Sequence, residues 1–255
     1  MLWVLDLDGV VWLAGNPIPG SPEAVRRLHD AGERLVFVTN NSGPTLAEYV
    51  ARLGRAGIEV DAGELLTSSQ AAASLLEPGS RAAIVGDPGI AEALAGRGVT
   101  AVAVADHPDA VVVGRSVNLD FSELSAAAGA IRAGARFVAT NTDATFPTPH
   151  GLEPGAGAIV AYLEVSSGRK AEVAGKPNQP AADLLRARFG PAGIVVGDRP
   201  DTDGGFALRI GTPFALVLSG VTRKEDLPVT PAPAVVAADL AAVVADREGA
   251  PSEPS

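Results

Sequence analysis

Short runs rich in Val, Leu, Ile and Ala recur along this chain, at residues 2–5, 35–38, 82–85, 101–105, 111–113, 136–139, 172–174, 194–196 and 214–218. Stretches with helical spacing, rich in Ala, Leu, Arg and Glu, lie between many of them, at 22–31, 46–56, 124–133, 156–166 and 180–189. Strands that alternate with helices build βαβ units and a mostly parallel sheet. The runs are continuously apolar, which fits strands covered by helices on both faces. The expected fold class is therefore α/β.

Composition narrows what such a fold can do. The chain has 255 residues and is 47% hydrophobic but only 4% aromatic, so a sizeable core must be built from Ala, Val, Leu and Ile. The formal net charge is −10, which argues against binding a nucleic-acid backbone. An acidic protein that handles anions must concentrate positive charge locally. The absence of cysteine excludes disulfides, thiolate metal sites and a Cys nucleophile, and fits a reducing cytoplasm. No apolar run approaches the roughly 18 residues of a membrane span. No basic region precedes an apolar stretch at the N-terminus, so no signal peptide is expected.

The chain contains a weak internal echo. Residues 31–40, AGERLVFVTN, resemble 133–141, AGARFVATN, and 111–114 resemble 195–197 with Arg115 standing where the later segment has Asp198. The middle of the chain thus reads as a second α/β unit without the full acidic set. The expected division is a discontinuous core of 1–78 and 174–247, an inserted domain of 79–173, and a disordered tail of 248–255 rich in Pro, Ser and Glu.

Polar residues stand where this architecture places a site. Asp6, Thr39 and Asp198 each follow a strand-like run, and Lys176 follows 172–175 in the same manner. Ligands of open α/β sheets bind beyond the carboxyl ends of the strands. Asp6-Leu7-Asp8-Gly9 delivers two carboxylates one residue apart, a costly placement unless a cation or shared proton compensates. A carboxylate needs no base to become nucleophilic, so Asp6 suits attack on phosphorus to give an aspartyl phosphate. Asp8 suits proton transfer to the leaving alkoxide and then from water. Asp6, the backbone carbonyl of Asp8 and Asp198 meet the demand of Mg²⁺ for oxygen ligands, with Asp203 orienting Lys176 or a metal-bound water. Thr39, Asn40 and the backbone around Asn41 suit phosphate oxygens, and Lys176 suits the phosphoryl charge. Plainer readings stand beside these: an Asp-x-Asp-Gly turn, an N-cap role for Ser42 or Thr45, helix N-terminal charge for Asp201 and Asp203, and an Arg199 paired with a nearby carboxylate.

Taken together, Asp6-Leu7-Asp8-Gly9-Val10, Thr39-Asn40-Asn41, Gly175-Lys176-Pro177 and Gly197-Asp198-Arg199 with Thr202-Asp203 resemble the four motifs of the haloacid dehalogenase superfamily. Val36-Phe37-Val38 before Thr39, Thr140-Asn141-Thr142-Asp143 and Pro154-Gly155-Ala156-Gly157 narrow the resemblance to the branch of nitrophenyl phosphatases and NagD-like enzymes. The resemblance implies a Rossmann-like core with a large inserted α/β cap. It implies Mg²⁺-dependent hydrolysis of small phosphomonoesters such as sugar phosphates, nucleotides, phosphoglycolate or pyridoxal phosphate. Asp6 carries over as nucleophile, Asp8 as acid and base, Asp198 as metal ligand, and Thr39, Asn40 and Lys176 as phosphate contacts. The cap loop 141–148 would face the leaving group, with Asn141, Asp143 and Phe146 as candidates for selectivity. Relatives often dimerise through the cap, which makes a homodimer an expectation by analogy.

The chain departs from its resemblance in three places. Gly43-Pro44 follows Ser42 where relatives often have a basic residue, Gly204-Gly205 follows Asp203 and is expected to loosen the next helix, and Arg115 stands where many carry an acid. Of the histidines, His29 reads as solvated, His107 as part of a polar turn, and His150 as a cap-loop residue able to touch substrate. The alternative function is a catalytically silent phosphometabolite-binding regulator. A dehalogenase is disfavoured by Asp8 and Asp198, because a charged metal site suits a phosphate dianion.

Overall fold

The computed structural model describes residues 1–13, 15–148 and 151–249. His150 and residues 250–255 of the expected tail lie outside them. The chain forms two compact units, one of Met1–Val38, Val50–Leu65 and Leu185–Ser255, the other of Thr39–Tyr49 and Leu66–Leu184. Segments 39–49, 66–78 and 174–184 thus cluster with the second unit.

The first unit is built on a six-stranded sheet in the order Val235–Ala237, Phe214–Val217, Ile194–Gly197, Leu2–Leu5, Arg34–Thr39, Leu65–Thr67. Its central strands are buried on both faces, as their unbroken apolar character requires. The Ser21–Asp30 helix buries Ala24, Val25 and Leu28, and it places Pro22 at its start, Glu23 in its first turn and Arg27 and His29 in its last. Each of these placements suits the helix ends and their dipole. Arg188 donates to the carbonyls of Leu65 and Gly63 at 3.1 and 3.0 Å, and burial lowers its pKa from the ordinary value.

The order of this sheet positions the chemistry. From Leu2–Leu5 the chain first adds the Arg34–Thr39 strand on one side and later the Ile194–Gly197 strand on the other. All three run parallel, with Leu5 in register with Phe37 and with Val196. Such a reversal of strand order opens a crevice at the carboxyl edge. Asp6 and Asp198 follow the two neighbouring strands at that edge.

The second unit has a parallel five-stranded sheet in the order Glu172–Val173, Arg136–Ala139, Ala110–Val113, Arg81–Val85, Thr100–Ala101. The helices Phe121–Arg132 and Ala156–Ser167 cover it, packing Leu124, Ile131, Ile159 and Leu163 against Val111, Val113 and Phe137. An antiparallel hairpin, Thr145–Thr148 with Gly151–Pro154, stands apart from this sheet. No helix of the described residues is long and apolar enough to cross a membrane.

Several local expectations change. Of the run at 101–105 only Ala101 is in a strand, Thr100–Ala101, and the run ends in a 3₁₀ turn at Val104–Asp106, because this edge segment buries no face. The loop expected at 141–148 ends in the Thr145–Thr148 strand. Residues 248 and 249 continue the Leu240–Gly249 helix instead of beginning the tail. Gly204 ends a π-helical turn, Pro200–Gly204, and is buried where the chain crosses Pro231 and Phe214. A close packing contact, not a loosened helix, accounts for this glycine. A β-carbon there would lie 2.8 Å from Pro231 Cγ and 3.1 Å from Phe214 Cε1. Gly204→Ala is therefore expected to cost about 1–3 kcal/mol through overpacking, read as a lower urea midpoint at unchanged slope.

Candidate active site

The first unit gathers an acidic centre. Asp6 continues the Leu2–Leu5 strand, its N–H donating to the Val196 carbonyl at 3.0 Å. Asp198 leaves the neighbouring strand, and the turn at Pro200–Gly204 brings Asp203 back beneath it. Asp6, Asp198 and Asp203 are 8%, 1% and 1% exposed. Each offers a carboxylate oxygen, and these oxygens all lie within 4.8 Å of one another. Three buried carboxylates at this range repel strongly unless a cation or protons offset their charge. A donor set made only of oxygens fits a hard divalent ion such as Mg²⁺.

The surrounding loops hold this arrangement. Asp198 Oδ2 accepts from the Val221 N–H at 2.6 Å, and Asp203 Oδ2 accepts from the Arg199 N–H at 3.1 Å. Ser219 Oγ donates to the Gly9 carbonyl at 2.7 Å, tying the loop after Phe214–Val217 to the turn after Asp8. Gly9 adopts φ +91°, and its β-carbon position lies 2.3 Å from Asp198 Oδ2; that of Gly220 lies 1.9 Å away. Side chains at these two positions would occupy the carboxylate's space. Asp8 has a separate setting: its Oδ1 accepts from Trp12 Nε1 at 3.1 Å, and its carboxylate is not one of the three that converge. Asp203, expected to orient other groups, lies among the converging carboxylates. Arg199 pairs with the exposed Asp201 at 3.2 Å.

The second unit gathers the amides and the lysine. Thr39 Oγ1 accepts from the Asn41 N–H at 3.1 Å, and Asn41 Oδ1 from the Gly43 N–H at 3.1 Å, so this loop is folded on its own side chains. Three hydroxyls grip its carbonyls: Tyr49 on Asn41 at 2.8 Å, Ser68 on Asn40 at 2.5 Å and Ser69 on Ser42 at 2.9 Å. Asn40 Nδ2 donates to the Lys176 carbonyl at 3.0 Å and to both Asp143 oxygens at 3.3 Å. Asn40 Oδ1 is buried with no hydrogen-bond partner. Lys176 is 5% exposed. Asn141 is equally buried: its Nδ2 donates to the Asn40 carbonyl at 2.6 Å and its Oδ1 accepts from the Asp143 N–H at 3.0 Å.

The structure thus brings Asp6, Asp198 and Asp203 together in one unit, and Thr39, Asn40, Asn41, Asn141, Asp143 and Lys176 in the other. Asn141 braces the backbone instead of lining a surface. Phe146 lies in the hairpin, its ring centroid 4.3 Å from the Arg115 guanidinium carbon. Thr45 caps the Leu46–Arg55 helix through a reciprocal pair with Glu48, whereas Ser42 Oγ is buried without a partner and caps nothing. Sequence reasoning missed Trp12, Ser68, Tyr49 and the Ser219–Val221 loop. Only the last had a readable signal, because Ser219-Gly220 follows an apolar run as Asp6 and Asp198 follow theirs.

Comparisons with known proteins agree with this geometry. Residues 3–100 match the family model of haloacid dehalogenase-like hydrolases, and residues 173–243 match a second model of HAD-hydrolase-like chains. The chain is 42% identical over 230 residues to D-glycerol 3-phosphate phosphatase of Mycobacterium tuberculosis, covering 88% of this chain and 64% of that protein, less than two thirds of its length. It superposes with a TM-score of 0.89 on the crystal structure of a glycerol phosphate phosphatase from the same organism in complex with magnesium, at 38% identity over 95% of this chain and 75% of the other. It superposes equally, at 0.89, on p-nitrophenyl phosphatase from Archaeoglobus fulgidus, at 31% identity over 96% and 98% of the two chains.

The close approach of Gly220 to Asp198 gives a direct test. Gly220→Ala is expected to displace the Asp198 carboxylate and to weaken any binding of an added divalent ion, tested with Mg²⁺, by about tenfold or more, read by titration calorimetry with the fold checked by circular dichroism.

Proposed function

From the membership of this chain in the haloacid dehalogenase-like hydrolases, we propose that it is a phosphatase of small phosphomonoesters in which Asp6 is the nucleophile. The convergence of Asp6, Asp198 and Asp203 carries this reading. Asp6, the Asp8 carbonyl and Asp198 would hold magnesium, and the position of Asp203 makes it a further ligand candidate. When bound, the ion would offset the carboxylate charge and polarise a phosphoryl oxygen.

The remaining chemistry belongs to the protein. An Asp6 carboxylate oxygen attacks phosphorus, and the bond from phosphorus to the leaving oxygen breaks. Asp8 gives that oxygen its proton, and Trp12 Nε1 supports the orientation of Asp8 through its 3.1 Å hydrogen bond. Asp8, now ionised, takes a proton from water; the resulting hydroxide attacks phosphorus, the bond to Asp6 breaks, and inorganic phosphate leaves. Thr39, the Asn40–Asn41 backbone and Lys176 are the proposed contacts to phosphoryl oxygens. The side-chain amide of Asn40 is engaged by Asp143 and Lys176, which favours a backbone role for that residue. Segment 79–173 is the proposed cap, a homodimer through it is the proposed assembly, and the cytoplasm is the proposed location.

Purified protein is expected to release phosphate from nitrophenyl phosphate and glycerol 3-phosphate with Mg²⁺ present, and to stop when EDTA removes the ion. Asp6→Asn should abolish turnover and phosphoenzyme formation. Asp8→Asn should slow glycerol 3-phosphate far more than nitrophenyl phosphate, because a poor leaving group depends on protonation, by roughly 10²-fold or more. Near-full activity of Asp6→Asn would remove the assigned nucleophile. Binding of phosphometabolites without turnover would favour the regulatory alternative.

A further inference from the structure

The second unit carries a charged cluster that the catalytic cycle leaves unused. Arg115 stands two residues past the Ala110–Val113 strand, at the carboxyl edge of its sheet. Its Nη2 donates to Glu153 Oε2 at 2.7 Å, and its guanidinium carbon sits 4.3 Å from the Phe146 ring centroid. Phe146 and Glu153 are directly opposed across the hairpin. One cross-strand pair therefore grips a single guanidinium, the ring at its face and the carboxylate at its edge. The Arg115 side chain is 16% exposed and that of Glu153 is 50% exposed, so the acid is the accessible half of the pair. Arg115 Nε is buried and has no hydrogen-bond partner, which leaves the cation incompletely satisfied by the protein.

The register sets this cluster on the same edge as the proposed phosphate contacts. Val113 pairs with Ala139, and Ala139 with Val173, so the segments bearing Arg115, Asn141 and Lys176 leave the sheet side by side. Neighbouring strands lie about 4.8 Å apart, which puts the Arg115 backbone roughly 10 Å from the Lys176 loop. That separation is the reach of a leaving group a few atoms long. The same edge bears Asp87 two residues past Val85 and Asp143 held by Asn40. Asp87 and Asp143 thus share this edge with Arg115 and Lys176, and Glu153 neutralises Arg115.

We propose that the Arg115–Glu153 pair reads the charge of the leaving group, selecting phosphoesters of uncharged polyols over those that carry a carboxylate. The proposal rests on the phosphatase reading and refines its substrate class. Hydroxyls can share donors and acceptors with a neutralised pair. A carboxylate meets the exposed carboxylate of Glu153, and like charges at close range exclude the wrong partner.

The test compares kcat/KM for glycerol 3-phosphate and 2-phosphoglycolate. The native chain should prefer glycerol 3-phosphate. Glu153→Gln keeps the shape of the acid and frees the guanidinium charge, and it should raise the relative kcat/KM for 2-phosphoglycolate by about tenfold. Adding Arg115→Met, which keeps an apolar stem on Phe146, should cancel that gain. An unchanged ratio in Glu153→Gln, or a gain that survives in the double variant, overturns the proposal while leaving the phosphatase reading intact. A native chain that prefers 2-phosphoglycolate, or that turns over nitrophenyl phosphate but neither ester, overturns the proposal alone; a chain that hydrolyses none of the three overturns both.

Discussion

Crowding of negative charge at the ends of two adjacent parallel strands is the constraint around which the first unit is arranged. Asp6 and Asp198 are brought together by register, since Leu5 pairs with Val196, and the turn after Asp198 adds Asp203 to them. Burial of all three makes the arrangement unfavourable on its own. The protein answers with backbone N–H donors from Val221 and Arg199 and with glycines that yield space at residues 9 and 220. The same features that make the centre costly suit it to a small, hard cation.

The second unit follows a different logic. Its polar groups are held chiefly by hydrogen bonds to backbone, and few stand open. Ser68, Ser69 and Tyr49 fix three successive carbonyls, while Asn141 and Asn40 tie that loop to Asp143 and Lys176. Such bonding places the Thr39–Asn41 backbone and the Lys176 loop with little freedom, which is what recognition of a compact tetrahedral anion requires. Beside them, Arg115 and its hairpin partners keep more exposure and an unsatisfied donor. If the proposed roles hold, rigid phosphate contacts beside an adaptable neighbour for the leaving group would suit a family that shares one reaction and varies its substrates.

Much of the acidic centre was legible because its signal is local. A continuous apolar run followed by Asp announces a carboxylate at a strand end, and this held for Asp6 and Asp198. Lys176 was legible for a related reason, although two residues separate it from its strand. Roles set by partners far along the chain were not legible. Asn141 reads as a loop residue until its amide meets the Asn40 carbonyl, 101 residues away. Gly204 reads as a helix breaker until Pro231 and Phe214 pack against it. The Thr145–Thr148 strand was hidden because it pairs with its own return segment, not with the sheet.

The amino-acid order alone determined the alternation of strands and helices, the parallel character of the sheets and the chemical types available at their carboxyl ends. These follow from side-chain periodicity and from residues adjacent in sequence. Tertiary structure decided which carboxylates converge, which amides brace the backbone, and that Arg115 is gripped by Phe146 and Glu153. Those outcomes depend on register and on distances between remote segments, which a linear pattern does not encode.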